Sequence, residues 1–220
     1  MKKIAIVGGG ISGLYFANKL QREKNFDYTI YEKKSGLDLN NGYGIQLSVN
    51  SVKLLNEIGF QNVDSNEKFF PKKINFFNAK NSNKICDIDI STFNEDDNKY
   101  TTIKRSSLIK FLLNNIPSEK IKSNIELKNI KYGEKLKLSL STNLVEEFDY
   151  LVVSDGVFSK TKSIIFKKDT NPKFFNSVAL RANIRNIDSN NISLYLGSNF
   201  HFVVYPVNQN KEFNFISIIR

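Results

Sequence analysis

The chain has 220 residues, of which 40% are hydrophobic and 25% charged. That composition excludes a disordered chain, a collagen-like chain and a membrane bundle. A single cysteine, Cys86, excludes an internal disulfide framework, and with His201 the only histidine a zinc site would lack its nitrogen and sulfur ligands. The net charge is 32 − 22 = +10, but the basic residues come as scattered pairs such as Lys33-Lys34 and Lys72-Lys73. They read as a solvated basic surface that helps collect an anionic ligand, and not as a nucleic-acid footprint, which would need a block or stripe.

The N-terminus begins Met1-Lys2-Lys3 and continues with an uncharged run to Ala17, which mimics a secretory signal. Three adjacent glycines interrupt that run and no A-x-A-like cleavage site follows, so a cytoplasmic protein is expected. No stretch reaches the length of a membrane span. Ile4 to Val7 is a short continuous apolar run, as in a parallel strand covered on both faces. Gly8-Gly9-Gly10 breaks it. The segment from Ile11 to Lys24 then carries Leu14, Ala17 and Leu20 at helical spacing, and Tyr28 to Tyr31 is a second strand ending at Glu32. These thirty-odd residues form a βαβ unit.

A Gly- and Asn-rich loop, 35–44, leads to a helix with Val52, Leu55 and Ile58 on one side, Asn50 or Ser51 as its cap and Gly59 at its end. Strands are expected at 69–77 and 84–90. A third helix opens at Ser106 or Ser107 and closes before Pro117. Two β-like stretches at 124–140 precede the apolar strand 148–153, and Ser159 caps a short helix through Ile165. After Pro172 the pattern is strands only, at 174–184, 192–196, 200–207 and 212–219, the last an exposed apolar edge. The fold class is therefore α/β: a Rossmann-like dinucleotide-binding domain, 1–68 with 98–170, and a β-rich portion, 69–97 with 171–220, whose two pieces pair into one sheet.

Gly8-Gly9-Gly10-Ile11-Ser12-Gly13 fits G-x-G-x-x-G in its full context: it follows a strand, opens a helix, and has Glu32 at the end of the next strand. Gly8 permits the tight turn, Gly10 lets the backbone approach a pyrophosphate, and Gly13 lets helix and strand pack closely. The first-turn N–H groups face the phosphates. The Glu32 carboxylate suits an unmodified ribose 2′-OH and repels a 2′-phosphate. This pattern alone leaves NAD and FAD both open.

Further segments carry a family resemblance. Residues 42–50 match G-x-G-I-x-L-x-P-N except for Val49 in place of Pro. Arg105 opens the third helix. Residues 154–162 match (A)-D-G-x-x-S-x-x-R with Ser154 for Ala and Lys162 for Arg, and His201-Phe202-Val203-Val204-Tyr205-Pro206 matches H-x-x-x-Y-P. In this order the chain resembles the FAD-dependent aromatic-ring monooxygenases of the p-hydroxybenzoate hydroxylase fold, salicylate and 3-hydroxybenzoate hydroxylase branch. The resemblance implies a cofactor-binding set of Gly8, Gly10, Ile11, Ser12, Gly13, Glu32, Lys33, Gly44, Gln46, Arg105, Asp155 and Gly156. Of these, Gly8, Gly10, Ser12 and Gly13 hold the FAD pyrophosphate and Glu32 the adenosine ribose. Arg105 contacts the flavin side, and Asp155 and Gly156 serve FAD and the nicotinamide donor, NADH or NADPH. Lys162 lacks the planar fork of Arg, which weakens any nicotinamide role there.

The same resemblance makes the substrate a small aromatic acid or phenol, with His201 and Tyr205 as catalytic residues lining its pocket. His201, Val203 and Tyr205 share one strand face. A free phenol titrates near ~10 and imidazole near ~6.5, so His201 can take the phenolic proton while Tyr205 positions the oxygen. The family's later G-D-A-A-H-x-x-x-P segment is not matched, so the chain reads as the N-terminal part of such an enzyme (a fragment, a split product or a truncated reading frame), with a separate C-terminal segment or a homo-oligomer as the expected partner. Two other readings stay open: an inactive nucleotide-binding remnant, and a related flavoenzyme acting on a quinone precursor or an isoprenoid lipid.

Overall fold

The computed structural model describes residues 1–36 and 43–220; residues 37–42, including Gly42 of the second glycine pattern, lie outside the described residues. In chain order the elements are β1 (Lys2–Val7), α1 (Ile11–Leu20), β2 (Phe26–Glu32), β3 (Gly44–Leu47), α2 (Val49–Asn56), β4 (Lys68–Phe69), β5 (Lys73–Asn78), β6 (Lys84–Asp89), β7 (Thr101–Lys104) and α3 (Arg105–Asn114). They continue with β8 (Ile121–Ser123), β9 (Leu127–Lys131), β10 (Leu136–Leu140), β11 (Val145–Phe148), β12 (Tyr150–Val153), α4 (Lys160–Phe166), β13 (Val178–Arg185), β14 (Ile192–Leu196), β15 (Phe200–Pro206) and β16 (Glu212–Ile219). The chain divides into two compact units, Met1–Leu39 with Ile109–Lys173, and Asn40–Leu108 with Phe174–Arg220. No helix among the described residues is long and apolar enough to cross a membrane.

The first unit is built on a four-stranded parallel sheet, ordered β12-β1-β2-β8. β1 is central, which is why Ile4, Ala5, Ile6 and Val7 are all buried without alternation. Leu14, Ala17 and Leu20 bury the predicted face of α1. Asn18 is buried beside them and stays satisfied because its Nδ2 donates to Leu14 O at 2.8 Å and to Leu112 O at 2.7 Å. A three-stranded antiparallel sheet, β11-β10-β9, contributes Leu127, Leu138, Leu140 and Phe148 to a core shared with Ala5, Val7 and Tyr31.

The second unit holds a six-stranded sheet, β13-β16-β15-β14-β5-β6, and a small sheet, β3-β7-β4. β5 joins β14 in parallel, Ile192 opposite Ile74, so 69–97 and 171–220 do contribute to one sheet. β16 is an interior strand, paired to β13 on one side and β15 on the other, and not the edge expected from its sequence. One face carries a ring ladder. Phe77 stacks on Tyr195 with centroids 4.9 Å apart, Tyr195 on Phe202 at 4.5 Å, and Phe202 meets Phe215 at 5.6 Å.

Residues 43–68 and 98–108, grouped by sequence with the cofactor domain, belong to the second unit. The reason lies in β3 and β7, two short strands not expected from the sequence, which pair with each other and bond to the larger sheet's strands and turns. Gly44 N–H donates to Asn214 Oδ1 at 2.7 Å, and Thr102 Oγ1 donates to Pro206 O at 2.5 Å. Helix α2 begins at Val49 with Ser48 as its cap residue, just before the predicted cap, and Gly59 adopts φ +97° where the helix ends.

Glu212, at the start of β16, gathers Lys104, Arg185 (2.9 Å) and Asn208. The Lys104 ammonium is the chief cause holding its carboxyl down to about 2, from an ordinary 4.5. The stability this supplies is complete above the ordinary value and is lost as pH falls toward about 2. Glu212→Gln is expected to lower the thermal midpoint at pH 7 and to flatten its fall between pH 4.5 and 2. An unchanged acid limb in scanning calorimetry would remove the network from the stability account.

Candidate dinucleotide site

The end of β1 delivers the chain into the glycine turn. Gly8 N–H donates to Tyr31 O at 2.9 Å, and Gly9 N–H donates to Glu32 Oε2 at 2.8 Å. The other Glu32 oxygen accepts from Lys34 N–H at 2.9 Å. The carboxylate is thus clamped between the turn and its own strand end, and each oxygen keeps a lone pair for a further donor.

The three motif glycines have different physical reasons. Gly8 sits at φ +107°, and a Cβ there would meet Ser154 O at 2.4 Å. A Cβ on Gly13 would meet Gly8 O at 2.0 Å. Both are glycine because the protein's own backbone requires it. Gly10, the residue preceding α1, has an ordinary backbone (φ −79°, ψ −175°), and a Cβ on it would meet nothing within 4 Å. Nothing among the described residues demands glycine there. Open space in front of the first-turn N–H groups is what a pyrophosphate needs for close approach.

Ser154 stands where Ala is usual, and the fold makes use of it. Its Oγ donates to Val7 O at 2.9 Å and Gly8 O at 3.1 Å, tying the end of β12 to the turn. Asp155 follows. Its Oδ2 accepts from Thr161 N–H at 3.2 Å, whereas its Oδ1 is buried with no partner among the described residues. A buried carboxylate oxygen without a donor calls for one from a ligand or water. Gly156 turns away at φ +84°, and Ser159 caps α4 by accepting from Lys162 N–H at 3.0 Å.

Gly8, Glu32 and Asp155 border an open cleft. Val7, Tyr31, Ile125 and Leu127 give it apolar walls, while Glu32, Lys33, Glu126, Asp155 and Lys160 supply charge. Apolar walls with a few convergent polar groups suit the adenosine half of a dinucleotide. Sequence reasoning missed Glu126, Lys160 and Thr161; the Ser159 cap just after Asp155-Gly156 was the signal placing 160–161 beside the site. Glu126 accepts ion pairs from Lys128 and, at 2.8 Å, from Lys160, and these hold its carboxyl down to about 2.

The structure thus brings Gly8, Gly10, Ile11, Ser12, Gly13, Glu32, Lys33, Asp155 and Gly156 together in the first unit. Gly44, Gln46, Arg105, His201 and Tyr205 belong to the second. There Gly44 is glycine for packing: a Cβ would meet Asn214 Cβ at 2.5 Å and Val207 Cγ1 at 2.6 Å. Gln46 accepts from Tyr100 Oη at 2.8 Å and bonds the Tyr205 hydroxyl. Arg105 N–H donates to Tyr43 O at 2.9 Å. Tyr205 is 1% exposed, and burial pushes its hydroxyl up to about 12. His201 is exposed. The two share a strand face, but four residues at ~3.3 Å each separate them by about 13 Å. Arg181, on the same face and missed in the sequence, lies with its guanidinium 5.7 Å over the Tyr43 ring.

A family model described as an NAD(P)-binding Rossmann-like domain matches residues 6–39. The monooxygenase asqM of Emericella nidulans is 27% identical over 180 residues, covering 74% of this chain and 40% of that protein. Among solved structures, Klebsiella pneumoniae HpxO complexed with FAD and uric acid superposes with a TM-score of 0.86 at 14% identity, over 99% of this chain and 56% of that one. A salicylate hydroxylase substrate complex gives a TM-score of 0.81 at 16% identity, over 99% and 56%. The chain spans about half the length of the proteins it matches. It has the fold of the FAD-dependent aromatic hydroxylases.

Proposed function

We propose that this chain is the cofactor-binding and sheet portion of an FAD-dependent monooxygenase that hydroxylates a small aromatic acid or phenol, with NADH or NADPH as electron donor. The observation that carries the reading is the open space at Gly10 beside a clamped Glu32 and an unpartnered Asp155 oxygen. Those residues fit the adenosine diphosphate half of FAD. Similarity to proteins named as monooxygenases and to an FAD-complexed structure supports FAD over NAD. The cytoplasm, where reduced pyridine nucleotide is available, is the compartment this reading implies.

When bound, FAD supplies the redox chemistry that delivers one oxygen atom of O₂ to an electron-rich ring. The residues of the chain bind and orient. First-turn N–H groups of α1 hold the pyrophosphate, and Glu32 accepts from a ribose hydroxyl. Asp155 Oδ1 accepts a hydroxyl or water donor. By resemblance, Gly44, Gln46 and Arg105 serve the same cofactor. His201, at the exposed end of β15, accepts the substrate's phenolic proton on an imidazole nitrogen. Tyr205 is a positioning residue, holding Gln46 from the core.

The test is a fluorescence titration of free FAD. The wild-type chain is expected to prefer FAD to NAD, and Glu32→Ala is expected to lose on the order of 1.5–3 kcal/mol of binding with the charge-assisted hydrogen bond. Equal FAD binding by the two proteins would remove the basis for the site.

A further inference from the structure

The second unit contains another open cleft, at the end of α2 and beside β4 and β7. It holds a buried cation that neither the cofactor nor the proton transfer uses. Lys68 is only 6% exposed. Its Nζ donates to Phe60 O at 3.4 Å and Gln61 O at 3.2 Å, and it stands 5.2 Å from the centroid of the Phe60 ring. Among the described residues no carboxylate lies within ion-pairing distance of it. Burial pushes its ammonium below the ordinary range, and the more distant Asp64 only partly offsets this.

A second ammonium borders the same cleft in the same way: Lys99 Nζ lies 5.9 Å over the Phe70 ring. Asn56 completes the polar lining. Its Nδ2 donates to Asp97 O and to Asn98 Oδ1 at 2.9 Å, and its Oδ1 is buried without a donor among the described residues. Asp97 brings the single carboxylate. Lys68 and Lys99 both border the cleft, and neither Asp97 in its lining nor the more distant Asp64 ion-pairs with Lys68.

We propose that this cleft binds a small organic carboxylate, its anionic end on Lys68 and Lys99 and its apolar body against Phe70. Lys68 is already largely withdrawn from solvent in the folded chain, so a carboxylate that reaches it gains a charge-assisted bond at reduced added cost to the protein. The accessible Phe70 ring favours a ligand with a hydrocarbon body over an inorganic oxyanion. The site stands independently of the FAD reading.

Hexanoate is the probe, since it is a carboxylate with an apolar body and no ring to hydroxylate. Calorimetric titration of the full chain is expected to show saturable binding, together with a ligand-dependent rise in thermal midpoint. Lys68→Met, which replaces an unpaired buried cation by an apolar side chain of similar length, is expected to fold with an equal or higher midpoint and to bind hexanoate about tenfold more weakly or worse. Lys99→Ala, at an exposed position, is expected to weaken binding severalfold and decides the matter if Lys68→Met does not fold. Absence of saturable binding, or unchanged affinity in the foldable variants, would overturn the proposal. Equal binding of 1-hexanol or of sulfate would overturn the assignment to organic carboxylates.

Discussion

Gly10→Ala is expected to leave the fold and its thermal midpoint intact while weakening FAD binding by at least about tenfold, or ~1.4 kcal/mol. The added methyl meets no atom of the described residues within 4 Å and the backbone there is one that alanine adopts freely. Its only cost falls on whatever occupies the space before α1. The neighbouring glycines are expected to behave in the opposite way. Gly13→Ala drives a methyl to 2.0 Å from Gly8 O, and Gly8→Ala adds strain at φ +107° to a clash with Ser154 O. Strain of that kind costs about 1–3 kcal/mol before any clash is counted, and each kcal/mol lowers the midpoint by about 2–4 °C in a chain of this size. The pairing of a stable non-binder at 10 with unstable variants at 8 and 13 separates the ligand's demand for glycine from the protein's own. FAD affinity of Gly10→Ala equal to wild type in fluorescence titration would show that the space is not the pyrophosphate's.

His201→Ala is expected to slow hydroxylation by about 10²–10⁴-fold, as loss of a proton acceptor does, with FAD affinity unchanged. The measurement belongs in whichever form turns over, the chain alone or joined to the remaining length its relatives carry. His201 lies at the exposed end of β15, opposite Leu196 and Ile218, where a ligand reaches it without opening the core. A structural role would move stability and leave the pH–rate profile alone. A catalytic role removes the acidic limb of that profile. Tyr205→Phe is expected to be milder, because the sealed hydroxyl acts only through Gln46. Unaltered turnover and pH profile in His201→Ala would leave that residue as part of the sheet's surface.

The βαβ unit was legible because its signals are local. Ile4 to Val7, the glycine turn and the spacing of Leu14, Ala17 and Leu20 each act within a few residues, and the strand and helix ends fall within a few residues of expectation. β14 and β16 matched their predicted bounds for the same reason. What escaped the sequence depends on distant partners. β3, β7, β8 and β11 have three or four residues each, too few to show an alternation, and exist because another strand pairs with them. Whether β16 is edge or interior is decided by β13 and β15, not by its own side chains. Tyr100, Gln46 and Tyr205 meet across 54 residues and more. Lys68 precedes Phe69-Phe70 in sequence, and nothing in that order distinguishes a buried ammonium from a solvated one.

The bond from Ser154 Oγ to Gly8 O spans 146 residues, and that interval has a meaning during synthesis. At ~5–20 residues per second, roughly 7–30 s separate the emergence of the glycine turn from the arrival of the residue that fastens it. Over that interval β1 has β2 on one flank only, since β12 comes from the far end of the same stretch. The nascent chain therefore holds an unfinished cofactor cradle on the ribosome, with one side of its central strand open to chaperones or to premature pairing. Ribosomes stalled before and after residue 154 are expected to differ sharply in FAD retention, with the cradle closing only in the longer chain.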